Sequence, residues 1–284
     1  MVGIDCFTDY YPTEIKKANI SNALAHPNFI LTKENILDID RDNFPQVDCV
    51  FHLAAQAGVR ASWGRNFEIY ARNNIEATQG LLEFYKGREI QKFVYASSSS
   101  VYGEAELPMR EDSLLKPVSP YGVTKLAAEN LCYLYYRNYH VPVISLRYFT
   151  VYGPRQRPDM AIHRFVRAVL NDEEITVYGD GEQTRDFTYV DEVIEATLLA
   201  AKSDVAGEVL NIGGGSRISV NQLIKKIETI TGKKAKLKYT EGQKGDVKDT
   251  LADISKAKEM LNWTPRVKIE QGLEHYVSWF QEQR

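Results

Sequence analysis

An apolar, β-prone run, Phe93-Val-Tyr-Ala, that ends in four consecutive serines, Ser97 to Ser100, constrains this chain more than any other stretch. It reads as a buried parallel strand that delivers hydroxyls at its C-terminal end, where open α/β sheets bind ligands. Downstream, Ser119-Pro120 is a good helix start: a hydroxyl that can cap free N–H groups, then a residue whose φ suits the first turn. In Tyr121-Gly-Val-Thr-Lys125 the Tyr and Lys stand four apart, one turn above each other on one helix face. An ammonium beside a phenol favours the phenolate and draws the Tyr pKa down from about 10. Tyr121 is therefore a candidate proton acceptor. A surface Tyr and Lys would explain the spacing alone, and a flexible loop would explain the serines alone. Strand-end hydroxyls followed at short range by such a helix are a more specific combination.

That combination resembles the extended short-chain dehydrogenase/reductases, in their nucleotide-sugar epimerase branch. The resemblance covers essentially the whole chain. It implies an α/β fold, a Rossmann-like doubly wound parallel sheet with a smaller C-terminal substrate lobe. It also implies a catalytic set of Ser98, Tyr121 and Lys125 around the nicotinamide of NAD, and a UDP-sugar substrate. The dinucleotide-binding part is expected over 1–155 and the substrate lobe over 156–284, the two interleaved.

Composition agrees with a soluble globular protein: 284 residues, 44% hydrophobic and 26% charged. A net charge of −3 leaves no footprint for nucleic acid or an anionic membrane. Cys6, Cys49 and Cys132 lack metal-type spacing and read as reduced thiols, so no metal site is expected. No apolar run reaches the length of about 18 residues that a membrane span needs, and no basic-then-apolar leader opens the chain. A cytoplasmic location is expected.

Met1-Val-Gly-Ile-Asp5 reads as a strand ending in a carboxylate, suited to ribose hydroxyls. No GxxGxxG precedes it, and the dense glycine cluster, Gly213 to Gly215, lies far downstream. The expectation is a dinucleotide-binding domain without its first strand, phosphate-cradling turn and first helix, with exposed strand edges as a result. A helix is expected over 12–25 and a strand over 29–31. By resemblance Asn35 and Ile36 contact adenine. A buried strand over 47–53 runs into small residues, and by resemblance Leu53, Ala54 and Ala55 face the cofactor. Arg60 could meet a phosphate or be solvated.

A long helix is expected over 66–86, its apolar residues at helical spacing. Within it Asn74 matches the family's mid-helix Asn at the cofactor site, with the structural job of bonding nearby backbone. This helix and that of 120–138 pair across a homodimer interface in the family, and core packing would explain their aromatics equally well. The strand 141–149 leads into Thr150-Val-Tyr-Gly-Pro-Arg-Gln-Arg-Pro158, which resembles the substrate-entry segment of the epimerases. The match places Tyr148 and Val151 at the nicotinamide and Thr150 at the sugar. The helix 161–171 carries His163 and Arg164, the latter on the substrate side. Tyr178 is expected to flank the base, Arg185 to pair with the diphosphate, and Asp246 to hold the ribose. Where relatives carry Arg before Gly-Asp, this chain has Gln243-Lys244.

The implied chemistry is transient oxidation at C4, with Tyr121 taking the hydroxyl proton directly or through Ser98 and Lys125 lowering the Tyr pKa. Dehydratases and decarboxylases of this family place carboxylates just after the catalytic hydroxyl. Here Ser99 and Ser100 stand there, and no carboxylate comes before Glu104. That points to 4-epimerisation, and the motifs most resemble those of UDP-glucuronate 4-epimerases, with Ser99, Ser100, Thr150 and Arg157 around the substrate carboxylate. UDP-glucose/galactose 4-epimerisation is the nearest rival. A different class of reading is a truncated, non-catalytic nucleotide-sugar-binding or dimerising remnant.

Overall fold

The computed structural model describes residues 1–40 and 44–283. In chain order the strands are β1 (Val2–Ile4), β2 (Ile30–Thr32), β3 (Cys49–His52), β4 (Lys92–Ser98), β5 (Val143–Tyr148), β6 (Thr150–Tyr152), β7 (Glu174–Tyr178), β8 (Thr184–Tyr189), β9 (Glu208–Ile212), β10 (Arg217–Ser219) and β11 (Lys236–Thr240). The helices are α1 (Thr13–Asn19), α2 (Ser21–Leu24), α3 (Phe67–Tyr70), α4 (Ala77–Tyr85), α5 (Pro120–Tyr139), α6 (Ala161–Leu170), α7 (Val190–Lys202), α8 (Val220–Thr231), α9 (Ser255–Leu261) and α10 (Ile269–Glu282).

The central sheet is parallel, in the order β3-β4-β5-β9, and β9 returns to it after the chain has built part of the second lobe. Alternation along β4 decides what covers each face. Phe93 and Tyr95 pack against Leu82, Ala128 and Cys132 of α4 and α5. Val94 points the other way and joins Ile144, Leu146, Val193 and Ala196, the last two from α7. Each fully buried Leu, Ile or Phe here contributes about 1.5–3 kcal/mol. A second core lies between α6, α8, α10 and the strands β7 and β8, with Phe165, Leu223, Leu273 and Tyr276 at its centre.

β1 pairs in parallel with β2 and, among the described residues, with no other strand. The free edge of β3 is likewise unpaired among them, and Phe51 beside it is 40% exposed. The helix expected over 66–86 runs through: after a single turn, Gly64–Asn66, α3 passes into a π-helical stretch, Ala71–Glu76, and on into α4 with helical backbone at each junction. The helix expected over 12–25 is two helices, α1 and α2, divided at Ile20.

Candidate functional site

Two helix starts meet at the C-terminal end of β4. The Ser98 hydroxyl accepts the N–H of Ser100 at 3.1 Å and caps a single turn, Ser99–Val101. The Ser119 hydroxyl accepts the N–H of Gly122 at 3.1 Å, and Pro120 opens α5 as the sequence predicts. A Cβ on Gly122 would stand 2.5 Å from the carbonyl oxygen of Ser100. The glycine lets α5 rest directly on the serine turn, and that approach brings Ser98 and Tyr121 to the wall of one cavity.

The electrostatics differ from the sequence reading. Burial pushes the Tyr121 phenol up, and what draws it back is the Ser98 hydrogen bond and the Arg157 charge. Lys125, 4% exposed, holds its Nζ 4.5 Å over the ring of Tyr95, and burial lowers its pKa to about 8. The lysine ammonium thus lies over a ring, and the Arg157 charge acts on Tyr121.

Asn74 lies in the π-helical stretch and lines neither of the two cavities at the site. Its Oδ1 accepts the N–H of Gln56 at 2.7 Å, and its Nδ2 donates to the Gln56 carbonyl at 3.1 Å and to Thr124 Oγ1 at 2.9 Å. It staples the segment after β3 to the catalytic helix.

A cavity of about 520 Å³ is lined by Asp5, Asn35, Ile36, Leu53, Ala54 and Ala55, with Tyr10, Lys16 and Arg157. It shares Leu53, Ala55, Ala57 and Arg157 with a second, of about 470 Å³, lined by Ser98, Ser99, Ser100, Tyr121, Lys125, Tyr148, Thr150, Val151, Arg185 and Asp246. Leu53 is apolar yet 60% exposed, because it faces this space. The donor set fits NAD at both ends: a carboxylate at a strand end for ribose hydroxyls, small residues for a flat ring, and a Tyr–Lys pair at the far end. The middle holds no glycine-rich turn, and its cations are Lys16 and Arg157.

Of the residues expected at the substrate, Arg60 donates to Asp246 at 2.6 Å and stacks 4.3 Å over the ring of Tyr178. Arg185 donates to the backbone carbonyls of Thr184 and Lys248. Arg164, on α6, lines neither cavity. Sequence reasoning missed Tyr10 and Tyr70. Tyr10 donates to Asp159 at 3.2 Å, and Tyr70 donates to the carbonyls of Ala57 and Gly58. Nothing in spacing marks either. The glycine cluster also has an explanation: buried Asp186 accepts the N–H groups of Gly214 at 2.6 Å and Ala252 at 3.0 Å. A Cβ on Gly214 would stand 2.3 Å from the Phe187 carbonyl.

Among the described residues no cluster could hold a metal ion, and no helix is long and apolar enough to cross a membrane.

Residues 14–213 match the model of the NAD dependent epimerase/dehydratase family. The chain is 44% identical to an uncharacterized UDP-glucose epimerase, YtcB, of Bacillus subtilis, over 98% of this chain and 89% of that protein. It is 41% identical to a UDP-glucuronate 4-epimerase of Thermodesulfobacterium geofontis, over 99% and 88%. A UDP-glucuronic acid 4-epimerase from Bacillus cereus, solved with UDP-glucuronic acid and NAD, superposes with a TM-score of 0.97 at 46% identity, covering 100% of this chain and 91% of that one. The family match spans most of the chain, the identities extend over nearly all of it, and the chain belongs to the NAD-dependent epimerase/dehydratase family.

Proposed function

We propose that this chain catalyses the NAD-dependent 4-epimerisation of UDP-glucuronate to UDP-galacturonate through a 4-keto sugar. The observation that carries the reading is the serine turn: Ser98 lines one cavity with Tyr121 and Lys125, with Ser99 and Ser100 following and no carboxylate before Glu104. NAD, when bound, supplies the acceptor and donor of the hydrogen at C4. Tyr121 takes and returns the proton of the 4-hydroxyl, directly or through Ser98. Lys125 sits one turn along the same helix to hold the cofactor ribose. The hydroxyls of Ser99, Ser100 and Thr150 receive the sugar carboxylate, with Arg157 supplying charge. Asp5, Asn35 and Ile36 hold the adenosine end. Arg60, Tyr178, Arg185 and Asp246 hold the nucleotide of the substrate.

The chain acts as a homodimer through the helices of 66–86 and 120–138, where Ile69, Val123 and Leu134 stay half exposed. Three unpaired cysteines suit a reducing cytoplasm. A UDP-glucose substrate is the second reading, favoured by the name of the Bacillus subtilis relative. Purified chain with added NAD is given each sugar nucleotide separately and the products are separated by chromatography. UDP-galacturonate from UDP-glucuronate, with slower turnover of UDP-glucose, is the expected result. Turnover of UDP-glucose alone moves the assignment to the second reading, and a decarboxylated or dehydrated product overturns epimerisation.

A further inference from the structure

We propose that Arg147 is a positioning residue for Lys125: by binding both oxygens of the Glu129 carboxylate, it keeps Glu129 from pairing with the Lys125 ammonium. The inference rests on the reading of Lys125 as the working lysine of the site.

Lys125 and Glu129 stand one turn apart on α5, and both are buried, at 4% and 5% exposure. Opposite charges at that helical spacing are neighbours, and away from water their attraction is strong. The pair does not form. Glu129 Oε1 accepts from Arg147 Nη2 at 2.6 Å, while Oε2 accepts from Arg147 Nε at 3.1 Å and from Ser97 Oγ at 2.5 Å. The remaining Nη1 of Arg147 donates to Tyr102 Oη at 2.8 Å and to the Glu111 carbonyl at 3.2 Å, and Tyr102 in turn donates to Asn211 Oδ1. The guanidinium is thus fixed by groups from three other segments of chain. A lysine at this position could not supply that fork.

Among the described residues no carboxylate lies within 4.0 Å of Lys125 Nζ. The titratable groups around the ammonium are His52 on β3, Tyr95 on β4, and Tyr121, Glu129 and Cys132 on its own helix. Burial lowers His52 to about 3 and raises the Cys132 thiol, so both are neutral near pH 7. Tyr95 offers only a ring face, since its buried hydroxyl has no hydrogen-bond partner among the described residues. Glu129 is the charged neighbour of Lys125, and Arg147 has taken it.

The test is the titration of Lys125 itself, read in cofactor-free protein from the ¹³Cε and ¹⁵Nζ shifts of labelled lysine, with Lys125→Met for assignment. Arg147→Met frees the Glu129 carboxylate, and the Lys125 pKa should rise by about one unit or more, as expected for a new opposite charge within ion-pair range. Glu129→Leu with Arg147→Met removes both charges, and the titration should return to or below that of the parent. Turnover, measured with NAD added, should fall about tenfold or more in the single variant and recover in the double. If the single variant does not fold, Arg147→Lys keeps the charge without the fork, and a smaller rise that Glu129→Gln abolishes is the expected result. An unmoved Lys125 titration in the folded single variant, or equal impairment of single and double variants, overturns the proposal. Titrations that follow the prediction in a protein without epimerase activity would overturn the functional reading and leave the positioning inference standing.

Discussion

Asn74 holds the peptide of Gln56 from both sides, accepting its N–H at 2.7 Å and donating to its carbonyl at 3.1 Å. One side-chain amide does here what a neighbouring strand does elsewhere, at a point where the chain leaves β3 and must stay extended beside the cavity. Its third bond, to Thr124 Oγ1, ties the same peptide to the helix of Tyr121, because Thr124 donates to the Tyr121 carbonyl at 2.8 Å. Asn74→Ala leaves two buried backbone groups unpaired, at about 1–3 kcal/mol each. Urea denaturation should show a loss in the range of about 2–5 kcal/mol. Asn74→Asp would set a carboxylate oxygen against the Gln56 carbonyl and the Thr124 hydroxyl oxygen in a buried site, so it should lose at least as much as Asn74→Ala.

Gly122→Ala should reverse the usual helix rule. At an exposed helical site the change stabilises by about 1 kcal/mol. Here the new methyl would stand 2.5 Å from the Ser100 carbonyl oxygen, a backbone atom. The expected result is a lower melting temperature, a loss of about 1–3 kcal/mol, and turnover impaired more than stability, because Ser98 and Tyr121 are pushed apart.

How much of this was legible in the sequence follows from how local each cause is. The Ser119 cap, the proline after it and the apolar run into the serines are local, and the structure has all three where the sequence places them. The π-helical stretch is not legible, because the apolar spacing of 69 to 85 continues through it and the extra residue is absorbed by Asn74 bonding across to Gln56. Burial also decides against a local rule at Tyr121. The helix spacing puts Lys125 beside it, yet desolvation raises the phenol and Arg157, far along the chain, supplies the nearby charge. The glycines at 213 to 215 serve the buried carboxylate of Asp186, a partner that no spacing reveals.

Asp186 should mark the pH dependence of stability. Burial raises its carboxyl to about 6, against the bonds from Gly214 and Ala252 that lower it. The folded state therefore binds this proton more tightly than the unfolded chain, whose carboxyl has a pKa of about 3.9. The stability it contributes is full below about pH 4 and is lost as pH rises through 6, by up to about 3 kcal/mol. Asp186→Asn removes that dependence. Relative to the parent, the variant should gain stability between pH 4.5 and 7.5 in urea titrations, by about 2–3 kcal/mol. A constant gap would place the Asp186 pKa near the unfolded value.

Arg60 and Asp246 form a partly exposed pair, with side chains 43% and 29% accessible, so the bridge contributes little to folding. Arg60→Gln should leave the melting temperature within about 2 °C. Its effect should appear in calorimetric titration with UDP, as a loss of about tenfold or more in affinity, the size of one charge-assisted bond.

The most direct test of the account is whether the purified chain binds NAD, followed by calorimetry with stepwise addition and, separately, by absorbance of nucleotide released on denaturation. The account predicts saturable binding at a single site per chain, weakened in Asp5→Ala through the lost ribose contact. No saturation up to millimolar NAD would contradict it, because the Tyr121 site would then lack the partner that its chemistry requires.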